Sequence, residues 1–236
     1  MKKYELTTET LQFAGRTLHR IKAVKDFDSI KAGEFGGWIE NEKNLSQDDN
    51  AWIYGDAMVY DNAKIFGNAE VYDNAKIFGN AEVYGNANVS GNAKVYGNAE
   101  VYGNANVSDY AKVYGIANVF GYAEVYGNAE VSDYAKVSDY AKVYGNAEVY
   151  GNAAIKGDAK VHDAVDYIVF KNFWSSGRYF TWTSSNNKWS VGCFYGTGEE
   201  LIKKAYADSE KSGREYERVV RYVESILADE KKEKSN

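Results

Sequence analysis

From Ala51 to Ala164 the chain divides into nineteen consecutive six-residue units without an insertion or deletion, running AWIYGD, AMVYDN, AKIFGN, AEVYDN and on to AAIKGD and AKVHDA. Such a unit is too short to contain a helix, and alone it cannot bury its own aliphatic residue. Stacking against its neighbours is therefore obligatory. Position one is always Ala and position three always Val or Ile, from Ile53 through Val95 and Val131 to Val161. These alternate residues are expected to face inward. Position two, mostly Lys, Glu or Asn, and position four, usually Tyr, Phe or Ser, form the outward half of a period-two strand. Position five is Gly or Asp and position six usually Asn, residue types that accept turn geometry. Each unit reads as a short strand plus a corner.

Three such strands make one triangular coil of eighteen residues, each strand lying about 4.8 Å above its equivalent. Nineteen units give about six coils and a rod roughly 30 Å long by the same spacing. The expected fold is mainly β, a parallel β-helix over 51–164 with an N-terminal cap over 1–50 and a small α+β cap over 165–236. Proline is absent from the chain, and a continuous hydrogen-bonded ladder explains its exclusion from the repeats, because Pro cannot donate.

The ends break the hexad phase. Leu18, Ile21, Val24, Phe27, Trp38, Ile39 and Leu45 make the first fifty residues apolar enough to cover an exposed ladder edge, as a solenoid end requires. Beyond Val165, strands are expected at Tyr167–Phe170, Tyr179–Thr183 and Trp189–Phe194, the last two forming a hairpin around Ser184-Ser185-Asn186-Asn187. Trp182 is expected to alternate outward from Phe180, and Trp189 to share a face with Val191 and Cys193. Two helices should follow, one capped by Thr197 with Glu200 and one by Ser212 with Glu215. Tyr216, Val219, Val220, Val223 and Ile226 form the apolar stripe of the second helix. The tail from Asp229 is charged and expected to fray.

The units resemble the hexapeptide-repeat family of left-handed β-helices, whose consensus places an aliphatic residue first and a small residue four positions later, as in Val83-Tyr84-Gly85-Asn86-Ala87-Asn88. Left-handedness is implied by that resemblance alone. Phe173-Trp174-Ser175-Ser176-Gly177-Arg178, followed by Trp182 and Trp189, adds a likeness to hexapeptide-repeat proteins encoded by bacteriophages and prophages. The acyltransferases of the fold use a catalytic His near a loop that leaves the coils, and its carbonic anhydrases bind zinc through three His. This chain has only His19 and His162 and no loop insertion in its coils.

The net charge of −6 arises within the repeats, leaving the two ends together neutral, which argues against nucleic acid as a partner because that needs a basic stripe. Cys193 is the only cysteine, so no intrachain disulfide can form and a reducing cytoplasm is the simplest setting. It reads as a buried packing residue. No signal-peptide run opens the chain and no segment has the length of a membrane span. Gly36-Gly37 reads as a turn, since neither a P-loop nor a dinucleotide fingerprint surrounds it. No catalytic residue, metal or cofactor is expected.

Thirteen of the nineteen position-four residues are Tyr or Phe. Same-face neighbours fall eighteen apart, so Tyr60, Phe78, Tyr96 and Tyr114 make one ladder that serves either as cross-strand support or as an apolar interface. At the corners, Asn gives way to Tyr110, Ile116 and Tyr122, then to Tyr134 and Tyr140, and these are candidates for an oligomer or partner interface. Trp174, Arg178, Trp182, Asn186, Asn187 and Trp189 gather rings, a guanidinium and amides that can hold a small-molecule ring or form the core of a small cap. The functional expectation is a non-enzymatic binding scaffold, a homotrimer with a bacterial host protein as a further partner if the phage likeness holds. An acyltransferase-like enzyme and a protein that sequesters a small nucleotide-like ligand are the alternatives. The inward assignment predicts that Val95→Asp, which buries an unpaired carboxylate, costs several kcal/mol in denaturant unfolding. Lys94→Glu should change stability little, and equal losses from the two would show the facing to be wrong.

Overall fold

The alternation of Ala with Val or Ile defines one buried face, and all of these residues from Ala51 to Val161 are at most 1% exposed. Burying each Val contributes roughly 1.5–3 kcal/mol. The computed structural model describes residues 2–173 and 177–233, and the chain divides into two compact units, Met1–Ala164 and Val165–Asn236. In the first unit β1 (Tyr4–Phe13), β2 (Arg16–Ala23) and β3 (Phe35–Ile39) precede nineteen two-residue strands, from β4 (Trp52–Ile53) to β22 (Lys160–Val161), one per hexad. Every third strand shares a sheet, giving three sheets of nine, seven and six strands, the first of which includes β1, β2 and β3. The fold is thus a parallel β-solenoid with three strands per coil.

Pairing is in register at eighteen residues: Val83 faces Val101 and Val101 faces Val119. The N–H groups of positions two, four and six donate to carbonyls seventeen residues ahead, as from Glu82 to Ala99 (3.0 Å), Tyr84 to Val101 (3.0 Å) and Asn86 to Gly103 (2.6 Å). From Gly55 to Gly157 position five has a positive φ, +71° at Gly85 for example. A Cβ there would lie 3.0 Å from the Gly103 nitrogen, so Gly suits both the backbone and the spacing. Where Asp takes this position it puts the contact to use, as Asp73 and Asp109 each accept the N–H of the glycine one coil on, Gly91 at 3.0 Å and Gly127 at 2.9 Å. No position-six residue has a positive φ among the described residues. Exchanging Asn for Tyr or Ile at that position therefore carries no left-handed strain.

Stacking begins before the hexad phase does. Trp38 and Ile39 pair in parallel with Met58 and Val59, and Leu45 with Ile65, so Ile39 and Leu45 are already inward residues. From Leu45 to Ile53 the chain takes eight residues where six suffice elsewhere, and the surplus corner is pinned from the N-terminal strand. The Lys3 ammonium donates to the carbonyls of Asp49 (2.9 Å) and Ala51 (2.8 Å). The Tyr4 hydroxyl donates to the Leu45 carbonyl at 2.7 Å. Gly36 and Gly37 belong to β3 and are not a turn. Added Cβ atoms would lie 2.6 Å from the carbonyl oxygens of Ile53 and Ala57 respectively, so they are glycines because two backbones approach closely.

In the second unit β23 (Tyr167–Lys171), β24 (Tyr179–Thr183), β25 (Lys188–Val191) and β26 (Phe194–Gly196) form an antiparallel sheet in chain order. Two helices follow, α1 (Gly198–Asp208) and α2 (Glu210–Glu233). Thr197 and Glu200 form the expected capping box on α1. The second helix starts earlier than expected: the Ser209 hydroxyl, not that of Ser212, accepts a helix N–H, from Ser212 at 3.1 Å. It continues to Glu233 instead of fraying at Asp229. Trp182 does not point outward. It lies two residues from Phe180 and so on the same strand face, and both rings are buried with Trp189, Leu201, Tyr216 and Val220. Cys193 is exposed, because Gly192-Cys193 is the turn joining β25 to β26.

Burial of Lys3 lowers its ammonium pKa to about 8 from the ordinary 10.5. Between these values the unfolded chain holds more protons than the folded one, so the cost of burying the charge falls as pH rises through that window. Wild type should therefore gain stability relative to Lys3→Met between pH 8 and 10.5 in parallel urea titrations. A pH-independent difference would mean that Lys3 is not buried as a charged group.

Candidate functional site

The outward columns divide into two kinds. At position four, rings eighteen residues apart stack almost parallel, with centroids 4.8 Å apart for Phe78–Tyr96, 5.0 Å for Tyr96–Tyr114 and 4.9 Å for Tyr84–Tyr102. Their faces are spent on one another and they are half-buried, each contact contributing roughly 0.2–1 kcal/mol. Tyr60 is withdrawn from the surface altogether, at 6% exposure, beneath Phe13 of the β1–β2 hairpin, whose ring is 5.8 Å away. Several phenols also donate to position-two carboxylates, Tyr54 to Glu70 at 2.9 Å and Tyr84 to Glu100 at 2.8 Å. Burial, and then the hydrogen bond to Glu70, push the Tyr54 phenol up to about 12, and Tyr72, Tyr84, Tyr96 and Tyr102 shift in the same direction with burial as the leading cause.

At position six the lower coils carry asparagine ladders in which each amide donates to the next, from Asn68 to Asn86 at 2.9 Å and from Asn86 to Asn104 at 3.1 Å. Two such ladders stop at Ile116 and Tyr122, and the third corner column changes from Asn92 to Tyr110, so that these residues occupy the three successive corners of one coil. Tyr134 and Tyr140 follow at two corners of the next. All five are exposed, Tyr110 at 63% and Tyr140 at 65%. Tyr122 and Tyr140 stack at 5.1 Å. The exposed apolar surface among the sequence candidates is thus the corner set, not the position-four ladder. Tyr150 belongs with it, at 56% exposure. It was missed because it holds an ordinary ladder position. The signal was eighteen residues back, where Ser132 replaces the ring it would stack on.

Among the described residues, the C-terminal candidates divide between core and surface. Trp182 and Trp189 are core residues. Trp182 Nε1 donates to Asn187 Oδ1 at 2.9 Å, and Asn186 Nδ2 donates to the Tyr195 hydroxyl at 2.9 Å, so the amides brace the hairpin turn. Asn187 has φ +51°, which explains an Asn there. Arg178 is exposed, with its side chain beside Gly192. Trp174 lies outside the described residues.

His19 lies on β2, with Nδ1 3.4 Å from the Thr7 carbonyl. His162, in the last hexad, pairs through Nδ1 with Asp163 at 2.6 Å and sets its ring edge-on to Tyr144. Among the described residues, no group of three or more His, Cys, Asp or Glu is placed to hold a metal, and no helix is long and apolar enough to cross a membrane.

Stacked six-residue units with an Ala and Val interior fit a hexapeptide-repeat β-helix family. No family model matches the chain. Over 62 residues it is 39% identical to the uncharacterized acetyltransferase YdcK of Escherichia coli (strain K12), a stretch covering 23% of this chain and 19% of that protein. The chain thus spans about a fifth of the length of the curated relative it matches.

The ladder phenols stay protonated in the folded rod at pH values where the unfolded chain, with phenols titrating near 10.0, releases their protons. Stability supplied in this way is fully present below pH 10 and is lost as pH rises through the folded values. The denaturation midpoint should therefore fall steeply above pH 10, in step with the appearance of phenolate absorbance. Full phenolate absorbance in a chain still folded at that pH would contradict the ladder burial.

Proposed function

We propose that the protein is a non-enzymatic β-helix scaffold that self-associates through one face of its rod and presents the remainder to a macromolecular partner. The observation that carries this reading is the exposed set Ile116, Tyr122, Tyr134 and Tyr140. Ile116 with Tyr134 lines one edge and Tyr122 with Tyr140 the next, so the sheet face between them is flanked on both sides by apolar corners two coils high. Nothing in the backbone demands these residues, and they replace asparagines that would have continued a hydrogen-bonded ladder. A contiguous apolar surface of this kind on a soluble chain is characteristically an interaction site. A trimer is the proposed assembly, since the two apolar corners flanking this face can each meet a different neighbour in a closed ring. The likeness to phage-encoded hexapeptide-repeat proteins supports a bacterial host protein as the further partner, the host cytoplasm as the compartment and antagonism of host defence as the role.

A second reading, acyl transfer, is favoured by the partial likeness to YdcK and by the pairing of His162 with Asp163, which would orient an imidazole as general base. Against it, the hexads extrude no loop to wall in an acyl donor.

Light scattering should report three chains per particle for the wild type and one for Tyr122→Ser/Tyr140→Ser, with both proteins equally folded by circular dichroism. A wild-type monomer at micromolar concentration would remove the interface. Calorimetry with acetyl-coenzyme A should show no binding. Saturable binding that His162→Ala abolishes would put the enzyme reading first.

A further inference from the structure

Position two records charge in columns that net charge does not reveal. Opposite charges stack in several places, Lys64 on Glu82 at 3.0 Å and Lys142 on Glu124 at 2.8 Å. On the first sheet, however, Lys76, Lys94 and Lys112 stand in register on three successive strands, about 4.8 Å apart. Like charges directly opposite destabilise a sheet. The outer two are compensated: Lys112 pairs with Glu130 at 2.6 Å, and Lys76 donates to the Asn74 carbonyl at 3.3 Å and covers the Phe13 ring. Lys94, between them, is exposed, and its ammonium makes no hydrogen bond or ion pair among the described residues. Like charges also meet in pairs, as at Glu82–Glu100 and Lys142–Lys160, but only here do three stand in a row, a local cost that one substitution would relieve and that a structural role does not explain.

The three lysines line a cavity of about 450 Å³ together with Asn92, Tyr110, Asn128 and Glu130. Tyr110 is the exposed corner ring that lies apart from the self-association face proposed above. The groove therefore combines an ammonium stripe, an unstacked aromatic face and two amides. Its length is limited. Toward the C-terminal coils the column turns acidic at Glu130 and Glu148, and toward the N-terminal end it reaches the uncharged Met58. Three strands at this spacing span about 10 Å, enough for a short phosphate chain and too little for a nucleic-acid backbone.

We propose that this groove binds a small phosphorylated ligand bearing an aromatic ring, the chemistry of a nucleoside polyphosphate. Phosphate oxygens accept from the Lys76, Lys94 and Lys112 ammonium groups. The ring stacks on Tyr110, with the Asn92 and Asn128 amides in reach of its polar edge. The site is independent of the self-association reading, because that face uses other corners.

The test is calorimetry on the full chain with metal-free ATP at low salt, with sodium triphosphate, adenosine and a single-stranded oligonucleotide in parallel. ATP should bind saturably, triphosphate more weakly, and adenosine not at all. Lys94→Glu should lower ATP affinity by at least roughly tenfold, while its melting midpoint equals or exceeds that of wild type, since the new carboxylate sits between two lysines. Tyr110→Ala should reduce ATP binding and leave triphosphate binding unchanged. Lack of saturation by ATP at millimolar concentration, equal ATP affinity in Lys94→Glu, equal affinity for ATP and triphosphate, or tighter binding of the oligonucleotide would each overturn the proposal. Monomeric Tyr122→Ser/Tyr140→Ser retains the groove, so loss of assembly and loss of the ligand are read separately.

Discussion

Everything in the repeat unit depends on the backbone ladder in which positions two, four and six donate to carbonyls seventeen residues ahead. Because these bonds are made at fixed register, each residue lies directly over the one eighteen before it. A shift of one residue would turn the whole inward set outward, and only steps of six preserve both the interior and the corners. The one departure, from Leu45 to Ile53, shows what a mismatch demands. A surplus of two residues is held by the buried Lys3 ammonium and the Tyr4 phenol, which donate to carbonyls the corner would otherwise expose, and by the Gln47 amide oxygen of the corner itself, which accepts the backbone N–H of Lys3. Placing Lys3 there costs desolvation, which its lowered pKa records.

Once the register is set, the inner columns carry almost no information, being Ala over Ala and Val over Val. The outer columns are free to differ. Rings at position four satisfy one another, and asparagines at position six do the same along two corner columns, so both contribute to the stack. Function is sought where a column stops satisfying itself: where Asn yields to an exposed Tyr or Ile, and where three lysines face one another although a glutamate would be compatible with the fold. Both departures keep the interior unchanged, which is why a repetitive scaffold can bear them.

The solenoid was legible because its cause is local and repeated: Ala and Val at fixed positions, Gly or Asp at each corner. The Thr197–Glu200 capping box was legible for the same reason. Features set by partners distant in sequence were not. Gly36 and Gly37 looked like a turn because the carbonyls that crowd them belong to Ile53 and Ala57. The alternation from Trp189 runs through Cys193 in sequence, and nothing adjacent to it shows that Gly192 opens a turn. The second helix is capped at Ser209 and not at Ser212, although both residues have the chemistry of a cap and the Ser212–Glu215 spacing points to the later one. The lysine run was open to reading at every eighteenth residue. Composition and net charge average over the columns and so conceal it.

Amide hydrogen exchange measured residue by residue is the most direct test of stacking at eighteen-residue intervals. Amides at positions two, four and six from Met58 to Tyr144 should exchange together, only through global unfolding. The position-five amides of Gly91 and Gly127, held by Asp73 and Asp109, should outlast those of Gly85 and Gly103, which stack on glycine. Rapid exchange at positions two, four and six, or equal rates for the two glycine groups, would contradict the register on which the rod and its surface columns rest.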